Sequence, residues 1–248
     1  MKEVVIVSYA RTPMGSFGGS LSSVSATKLG SIAIKGAIEK INININTIDE
    51  VYMGNVISAG LGQAPAKQAA IYAGLNNEIP CTTINKVCSS GMKAIMIGAQ
   101  SIQSGINDIV VTGGMENMSS IPFYLSDMRN GKKLGHSKVE DGLLVDGLTD
   151  VYDNVHMGVC AELCAEEMNI DREQQDKFAL MSYKRSKEAW DSGFIKKEIK
   201  EVKITNRKGD SIVEEDEEFK NINIEKFKTL RTVFKKDGTI TAGNASTI

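Results

Sequence analysis

Thr82-Thr83-Ile84-Asn85-Lys86-Val87, then Cys88-Ser89-Ser90-Gly91, then Met92, Ile95, Met96, Ala99 and Ile102: this stretch decides the fold. Its first part is a short β-branched run of strand type, and its last part spaces apolar residues three and four apart, the period of a helix. The two lie so close that Cys88 falls at the joint between strand and helix. Because the helical pattern is apolar over much of its surface, the helix is expected to lie inside the molecule.

The same alternation extends to both sides. Val4 to Ser8, Val51 to Val56 and Ile109 to Thr112 are further strand candidates. Ala26, Leu29, Ile32, Ala33 and Ala37 recur at helical spacing, and Gln63 to Ala73 forms another helix that begins near Pro65, a residue tolerated in a first turn. Strands alternating with helices through residue 115 predict a wound α/β sheet. Residues 115 to 155 show little periodicity and many Gly, Asp, Asn and Ser; so long a loop in a compact domain is expected to be functional. Helicity resumes near His156, and Asp171 is placed to cap a helix running toward Trp190. Lys184 to Lys236 carries 15 of the 29 basic residues against 11 acidic ones. Composition favours a solvated lysine-rich surface there over a site for an anionic ligand.

Composition bounds the class. The chain has 248 residues, 42% of them hydrophobic and 24% charged, with 4 prolines beside 23 glycines, which excludes disorder and a collagen-like repeat. A net charge of -2 lacks the basic excess of a general nucleic-acid binder. No apolar run approaches the roughly 18 residues of a membrane span, and Glu3-Val4-Val5-Ile6-Val7 does not look like a signal peptide. Cys81, Cys88, Cys160 and Cys164 are too few for a secreted disulfide framework, so reduced thiols and a cytoplasmic address are expected.

Cys88 is the first candidate for chemistry. At the start of a helix its sulfur meets unpaired N–H groups and the positive end of the macrodipole, which stabilise a nucleophilic anion. Its own amide is positioned to donate to an oxyanion on a bound carbonyl, and Gly91 permits close backbone approach. The plain alternative, a small buried cysteine filling a gap, is favoured by residue type and position alone. His156, Cys160 and Cys164 are spaced like metal ligands on one helix face, but a helix climbs roughly 12 Å over those eight positions. That is too far for both ends to bind one ion at bonds of about 2 Å; packing is the better reading, with zinc on Cys160 and Cys164 the minor one. His136 reads as solvated, and Asp141 and Asp146 read as turn residues. Glu116, after a strand end, reads either as a functional group or as a carboxylate bonding loop amides. Gly60-Leu61-Gly62-Gln63 lacks the dinucleotide fingerprint.

The string Thr83-Ile84-Asn85-Lys86-Val87-Cys88-Ser89-Ser90-Gly91-Met92 resembles the active-site segment of the thiolases. Six further strings resemble that family in family order. They are Arg11-Thr12-Pro13 with Gly15, Gly60 to Ala66, Gly113 to Ser119, Asp146 to Asp150, His156-Met157-Gly158 and Thr241 to Ser246. The contexts Ser182-Tyr183 and Ala189-Trp190 are similar to acetoacetyl-CoA thiolases, the acetyl-CoA C-acetyltransferases, including the mitochondrial type. His156-Met157-Gly158 and Gly243-Asn244-Ala245-Ser246 favour thiolases over ketoacyl synthases.

The resemblance implies a layered αβαβα fold of α/β class. Residues 1–115 would be the N-terminal α/β domain with the nucleophile, 116–238 an inserted loop domain for coenzyme A, and 239–248 the start of the return to the first domain. It implies that Cys88 takes an acetyl group from acetyl-CoA, or from acetoacetyl-CoA in thiolysis, and passes it to a second acetyl-CoA in a Claisen condensation. Coenzyme A thioesters are then substrates, with no tightly bound cofactor. Leu148, His156 and Met157 match positions near the pantetheine arm and adenine, Ser246 matches a pantetheine contact, and Phe234 matches a nucleotide-side contact. Lys220 is the nearest counterpart of a nucleotide-side arginine. Tyr183, Ala242, Gly243 and Ala245 match the potassium site of the mitochondrial type, although Gly243 stands where that type has alanine; carbonyl ligation tolerates the exchange.

Set beside the family pattern, the sequence stops at Ile248. The last strands of the first half and the whole C-terminal half, with its activating histidine, proton-moving cysteine and water-holding asparagine, are expected to be absent. Open strand edges would then favour aggregation or a complementing C-terminal half beside the homo-oligomer usual for the family. A catalytically inactive chain that still binds coenzyme A is the alternative function.

Overall fold

The computed structural model describes residues 2–206 and 209–248. Met1, and Arg207 and Lys208 of the lysine-rich stretch, lie outside the described residues. In chain order the elements are α1 (Ala26–Glu39), β1 (Glu50–Gly54), α2 (Pro65–Tyr72), β2 (Cys81–Ile84), α3 (Ser90–Gln103), β3 (Val110–Gly114), β4 (Phe123–Tyr124), β5 (Glu140–Asp141), α4 (Met157–Glu167), α5 (Arg172–Asp191), β6 (Val202–Asn206), β7 (Gly209–Val213), α6 (Glu218–Asn221) and α7 (Ile224–Phe227). They form two units threaded through one another in sequence. The first comprises Met1–Pro13, Ser20–Pro122 and Glu198–Glu215; the second comprises Met14–Gly19, Phe123–Lys197 and Asp216–Ile248.

The first unit is built on a parallel sheet in the order β2-β1-β3. Val51 and Met53 point from the central strand into a cluster with Ala26 and Ile34 of α1 and Ala66, Ala69 and Ala70 of α2. Each large side chain buried there contributes roughly 1.5–3 kcal/mol. Small residues on α1 and α2 let the helices approach closely; a Cβ on Gly30 of α1 would lie 3.4 Å from the Cβ of Ala69 on α2. Helix α2 begins at Pro65 as the sequence predicts, and the hydroxyl of Thr83 accepts from the Ala66 amide, one of the donors a helix start leaves without a partner. Strands β6 and β7 pair antiparallel, and Val202 packs with Leu21 and Leu29.

Two expectations fail in this unit. Val4 to Ser8 is not a strand: Val5, Ile6 and Val7 are 65%, 76% and 66% exposed, and among the described residues no strand pairs with them. A β-branched run makes a strand only when a neighbour completes its ladder. Helix α3 is not enclosed either. Ala94, Gly98 and Ser101 face the sheet side and are buried, whereas Met92, Ile95 and Met96 are exposed.

The second unit holds the irregular residues and the later helices. Strands β4 and β5 form a two-residue pair. Tyr124 of β4 donates to the carboxylate of Asp146 at 2.6 Å, and that acceptor together with burial pushes the phenol up to about 12. Asp141 accepts from the Leu143 amide, the turn role expected of it. Helix α5 starts as predicted, with Asp171 and Gln174 in a reciprocal capping box. Trp190, near its end, is buried, stacks on Phe219 and donates to Asp216. Among the described residues no helix is long and apolar enough to cross a membrane.

Candidate active site

Strand β2 ends at Ile84 because the next five residues turn sharply into α3. Val87 has φ +49°, the left-handed region that a β-branched residue rarely enters. The turn is held from both ends. The Asn85 side chain accepts from the Val87 amide at 2.9 Å and donates to the Val56 carbonyl at 3.0 Å. The Ser90 hydroxyl accepts from the Lys86 amide at 2.9 Å and donates to the Val87 carbonyl at 2.5 Å. Cys88 lies between these anchors and is exposed, so the gap-filling alternative is ruled out.

The helix start is pressed against the C-terminal ends of the parallel strands, the edge where open α/β sheets present their working groups. A Cβ on Gly54 of β1 would fall 2.4 Å from the Ser90 carbonyl carbon and 2.5 Å from the Gly91 nitrogen. A Cβ on Gly114 of β3 would fall 3.1 Å from the Gly91 Cα. Only glycines permit this approach of backbone to backbone. Glu116 lies just beyond β3 and takes the structural role. Its carboxylate accepts from the Val56 amide at 2.7 Å and from the Asn55 side chain at 3.1 Å. Burial pushes its carboxyl up, against the pull of the Val56 and Ile57 amides and Asn55.

In the second unit His156 caps α4, its Nδ1 accepting from the Gly158 amide at 2.9 Å. The imidazole stacks on Phe234 with centroids 4.8 Å apart and an interplanar angle of 17°. Gly158 makes the room: a Cβ there would lie 2.3 Å from the Phe234 ring. Thr149 bridges to His156, which brings Leu148, the last residue of the short π-helix Leu144–Leu148, close to the same point. Met157, the first residue of α4, is partly exposed. Four of the residues singled out in the sequence, Leu148, His156, Met157 and Phe234, therefore belong to one neighbourhood. Lys220 lies on α6, with its ammonium over the Phe219 ring.

Glu162 carries no mark in the sequence, yet it organises this neighbourhood. It is 4% exposed, and its carboxylate accepts from the amides of Thr239 and Ile240 and from the Thr239 hydroxyl at 2.8–2.9 Å. Burial opposes its charge, but those donors and Lys235 prevail and hold the carboxyl below its ordinary value. Ile240 in turn accepts from the Val233 amide, and Thr232 bridges to Thr241, so Glu162 fixes the loop on both sides of Phe234. Its cue was Gly238, where a Cβ would strike the carboxylate at 2.4 Å.

Thr241 to Ser246 continues from that anchor. Asn244 donates to Asp176 of α5 at 2.9 Å and to the Thr239 carbonyl at 3.0 Å, and accepts from the Thr241 amide. Arg172 closes the network on Asp176 at 2.8 Å and on the carbonyls of Phe227 and Leu230. Ser246 is exposed beyond it. Tyr183 donates to Glu218 at 3.2 Å, and burial followed by that carboxylate raises its phenol. The carbonyls of Ala242, Gly243 and Ala245 accept from no other described residue. Gly243 is a packing requirement here, since a Cβ would lie 2.7 Å from both Phe227 and Leu230. Cys160 and Cys164 are free thiols, and among the described residues no three His, Cys, Asp or Glu side chains converge on a metal site.

Residues 4–248 match the family model described as thiolase, N-terminal domain. The chain belongs to the thiolase family. An acetyl-CoA acetyltransferase of Schizosaccharomyces pombe is 56% identical across 99% of this thiolase chain and 63% of its own length. The mitochondrial acetyl-CoA acetyltransferase of Xenopus tropicalis is likewise 56% identical, over 100% of this chain and 59% of its own. The crystal structure of Acat5 thiolase from Ascaris suum in complex with coenzyme A superposes with a TM-score of 0.92 at 43% identity, covering 100% of this chain and 63% of that one. The thiolase chain thus spans about six-tenths of the length of the relatives it matches. The fold class expected from the sequence is the one observed, and the mitochondrial name of the Xenopus relative lends nothing to a cytoplasmic address.

Proposed function

We propose that this thiolase chain takes part in acetyl transfer between coenzyme A thioesters, as an acetyl-CoA C-acetyltransferase. The observation that carries the reading is Cys88, an exposed cysteine on a strained turn before α3, in a string that resembles the active-site segment of the thiolases. In the first step the sulfur of Cys88, as its anion, attacks the carbonyl carbon of acetyl-CoA. The C–S bond to coenzyme A breaks, and its sulfur leaves as thiolate to be protonated. The acetyl group now rides on Cys88. In the second step another acetyl-CoA loses a methyl proton to a base, and its carbon attacks the Cys88 thioester. The Cys88 sulfur leaves, and acetoacetyl-CoA forms; thiolysis is the reverse. The amide of Cys88 is suited to steady the oxyanion in both steps.

His156 and Phe234, with Leu148, Met157 and Ser246, are the residues we assign to coenzyme A in the second unit. A stacked ring pair with an apolar edge supports a planar adenine or a pantetheine chain. Tyr183, Ala242, Gly243 and Ala245 are the residues that would hold potassium, whose bound charge would stiffen the loop bearing Ser246.

The test is intact and peptide mass spectrometry after incubation with acetyl-CoA. The expected result is one acetyl group on Cys88, lost in Cys88→Ala. Label that persists in the variant refutes the assignment. Coenzyme A that raises the thermal midpoint without acetyl transfer would favour the second reading, a binding chain whose His156–Phe234 site is intact but which does no chemistry.

A further inference from the structure

We infer that Ser90, seconded by Asn85, is a positioning residue that aims the Cys88 amide; the inference rests on the acyl-transfer reading above. The Val87 carbonyl and the Cys88 N–H belong to one planar peptide and point in opposite directions. Whatever grips the carbonyl therefore aims the amide. Ser90 grips it twice, through its own amide at 3.0 Å and its hydroxyl at 2.5 Å. The hydroxyl cannot turn elsewhere without loss, because it also accepts from the Lys86 amide at 2.9 Å. At 4% exposure no water replaces either bond readily.

Asn85 fixes the preceding peptide by accepting from the Val87 amide. With the peptides on both sides of Val87 held, the residue keeps φ +49° against its own preference. The grip is directed at something. Cys88 forms an isolated bridge with Lys86, yet among the described residues its amide donates to no acceptor, so the strained turn presents a donor beside an exposed cysteine. Strain kept where it leaves a donor open is a mark of pre-organisation.

Removing the Ser90 hydroxyl lets Val87 relax and swings the Cys88 amide with it. The sulfur stays exposed, so only chemistry that needs an oxyanion donor suffers. The experiment compares the full chain with Ser90→Ala, Val87→Gly and the double variant. It follows acetylation of Cys88 by acetyl-CoA and by 4-nitrophenyl acetate, which needs no coenzyme A site, and alkylation of Cys88 by iodoacetamide, which needs no oxyanion donor.

Ser90→Ala should slow acetylation about tenfold, equal to about 1.4 kcal/mol, while alkylation changes less than twofold. Val87→Gly, which enters the left-handed region freely, should restore acetylation in the double variant. A merely structural serine would lower acetylation and alkylation together and show no such rescue. If Ser90→Ala does not fold, Asn85→Ala at an exposed position serves in its place, with the same expected direction and rescue. Acetylation by both donors unchanged in the variant overturns the positioning role and leaves the acyl-transfer reading standing. A parent chain deaf to acetyl-CoA, yet slowed by the variant toward 4-nitrophenyl acetate, sinks the acyl-CoA reading and keeps the positioning role. A chain acetylated by neither donor overturns both.

Discussion

Gly158→Ala puts the His156–Phe234 stack to the test. The added Cβ lies 2.3 Å from the Phe234 Cγ and Cδ2 and 2.4 Å from Cε2. Restoring ordinary contact moves the ring by about 1 Å or more, an overpacking that costs about 1–3 kcal/mol. Loss of the stacked geometry removes about 0.5–1.5 kcal/mol more. Against this, alanine in place of glycine favours the helix by up to about 1 kcal/mol, and less at its second residue. The net is a loss of about 2 kcal/mol, which lowers the thermal midpoint by about 4–8 °C in a chain of this size. Circular dichroism at 222 nm follows the unfolding, and repeating it with coenzyme A reads the site: the ligand-linked rise expected of the parent should shrink. Phe234→Ala opens the space, so adding Gly158→Ala to that variant should be neutral or stabilising. A single Gly158→Ala variant that melts at or above the parent, with its coenzyme A response intact, would show that the ring neither fills this space nor serves the ligand.

Gly54→Ala meets backbone rather than a movable ring, so it should destabilise by about 3 kcal/mol or more, read as a shift of the urea midpoint or loss of soluble protein; a midpoint within error of the parent refutes the glycine contact. The buried carboxylate of Glu162 and the half-buried one of Glu116 should titrate in opposite senses. Glu162 has a lowered folded pKa, so its contribution is present above the ordinary carboxylate value and is lost as pH falls through the folded one. Glu162→Gln should thus melt well below the parent at pH 7, with the gap closing below about pH 4; a constant gap contradicts this. Glu116 has a raised folded pKa, so its contribution is present below the ordinary value and fades as pH rises through the folded one. A carboxyl ¹³C titration should place its midpoint above those of exposed glutamates, and an ordinary midpoint would refute the burial argument.

What the residues revealed in advance follows from range. Strands β1, β2 and β3, the helices between them and the Asp171 cap are written in local spacing and in single capping side chains, and each lies within a few residues of its expected bounds. Val4 to Ser8 shows the limit: a run has strand character by composition, but becomes a strand only through a partner that composition does not name. The outward face of α3 shows the same limit for helices. At the site, position announced Cys88, but nothing about Val87 hints at a left-handed backbone; a β-branched residue argues against one. The stack of His156 on Phe234 joins residues 78 apart, and Glu162 reaches Thr239 across 77. No periodicity records such contacts; spacing had marked His156 only beside Cys160 and Cys164, and only the family resemblance had brought Phe234 to notice.

The threading of the two units has a consequence for birth on the ribosome. Met14 and Ser16 find their partners in Asp216 and Glu217, and the Phe17 amide donates to the Ile248 carbonyl. Translation at roughly 5–20 residues per second leaves about 10–40 s between synthesis of Met14 and arrival of Asp216, 202 positions later. Throughout that interval the segment Met14–Gly19 waits for partners some two hundred positions further along the chain. Premature termination before residue 216 would leave Trp190 without its acceptor as well. Quality control by the cell's proteases therefore has a natural checkpoint in this late closure.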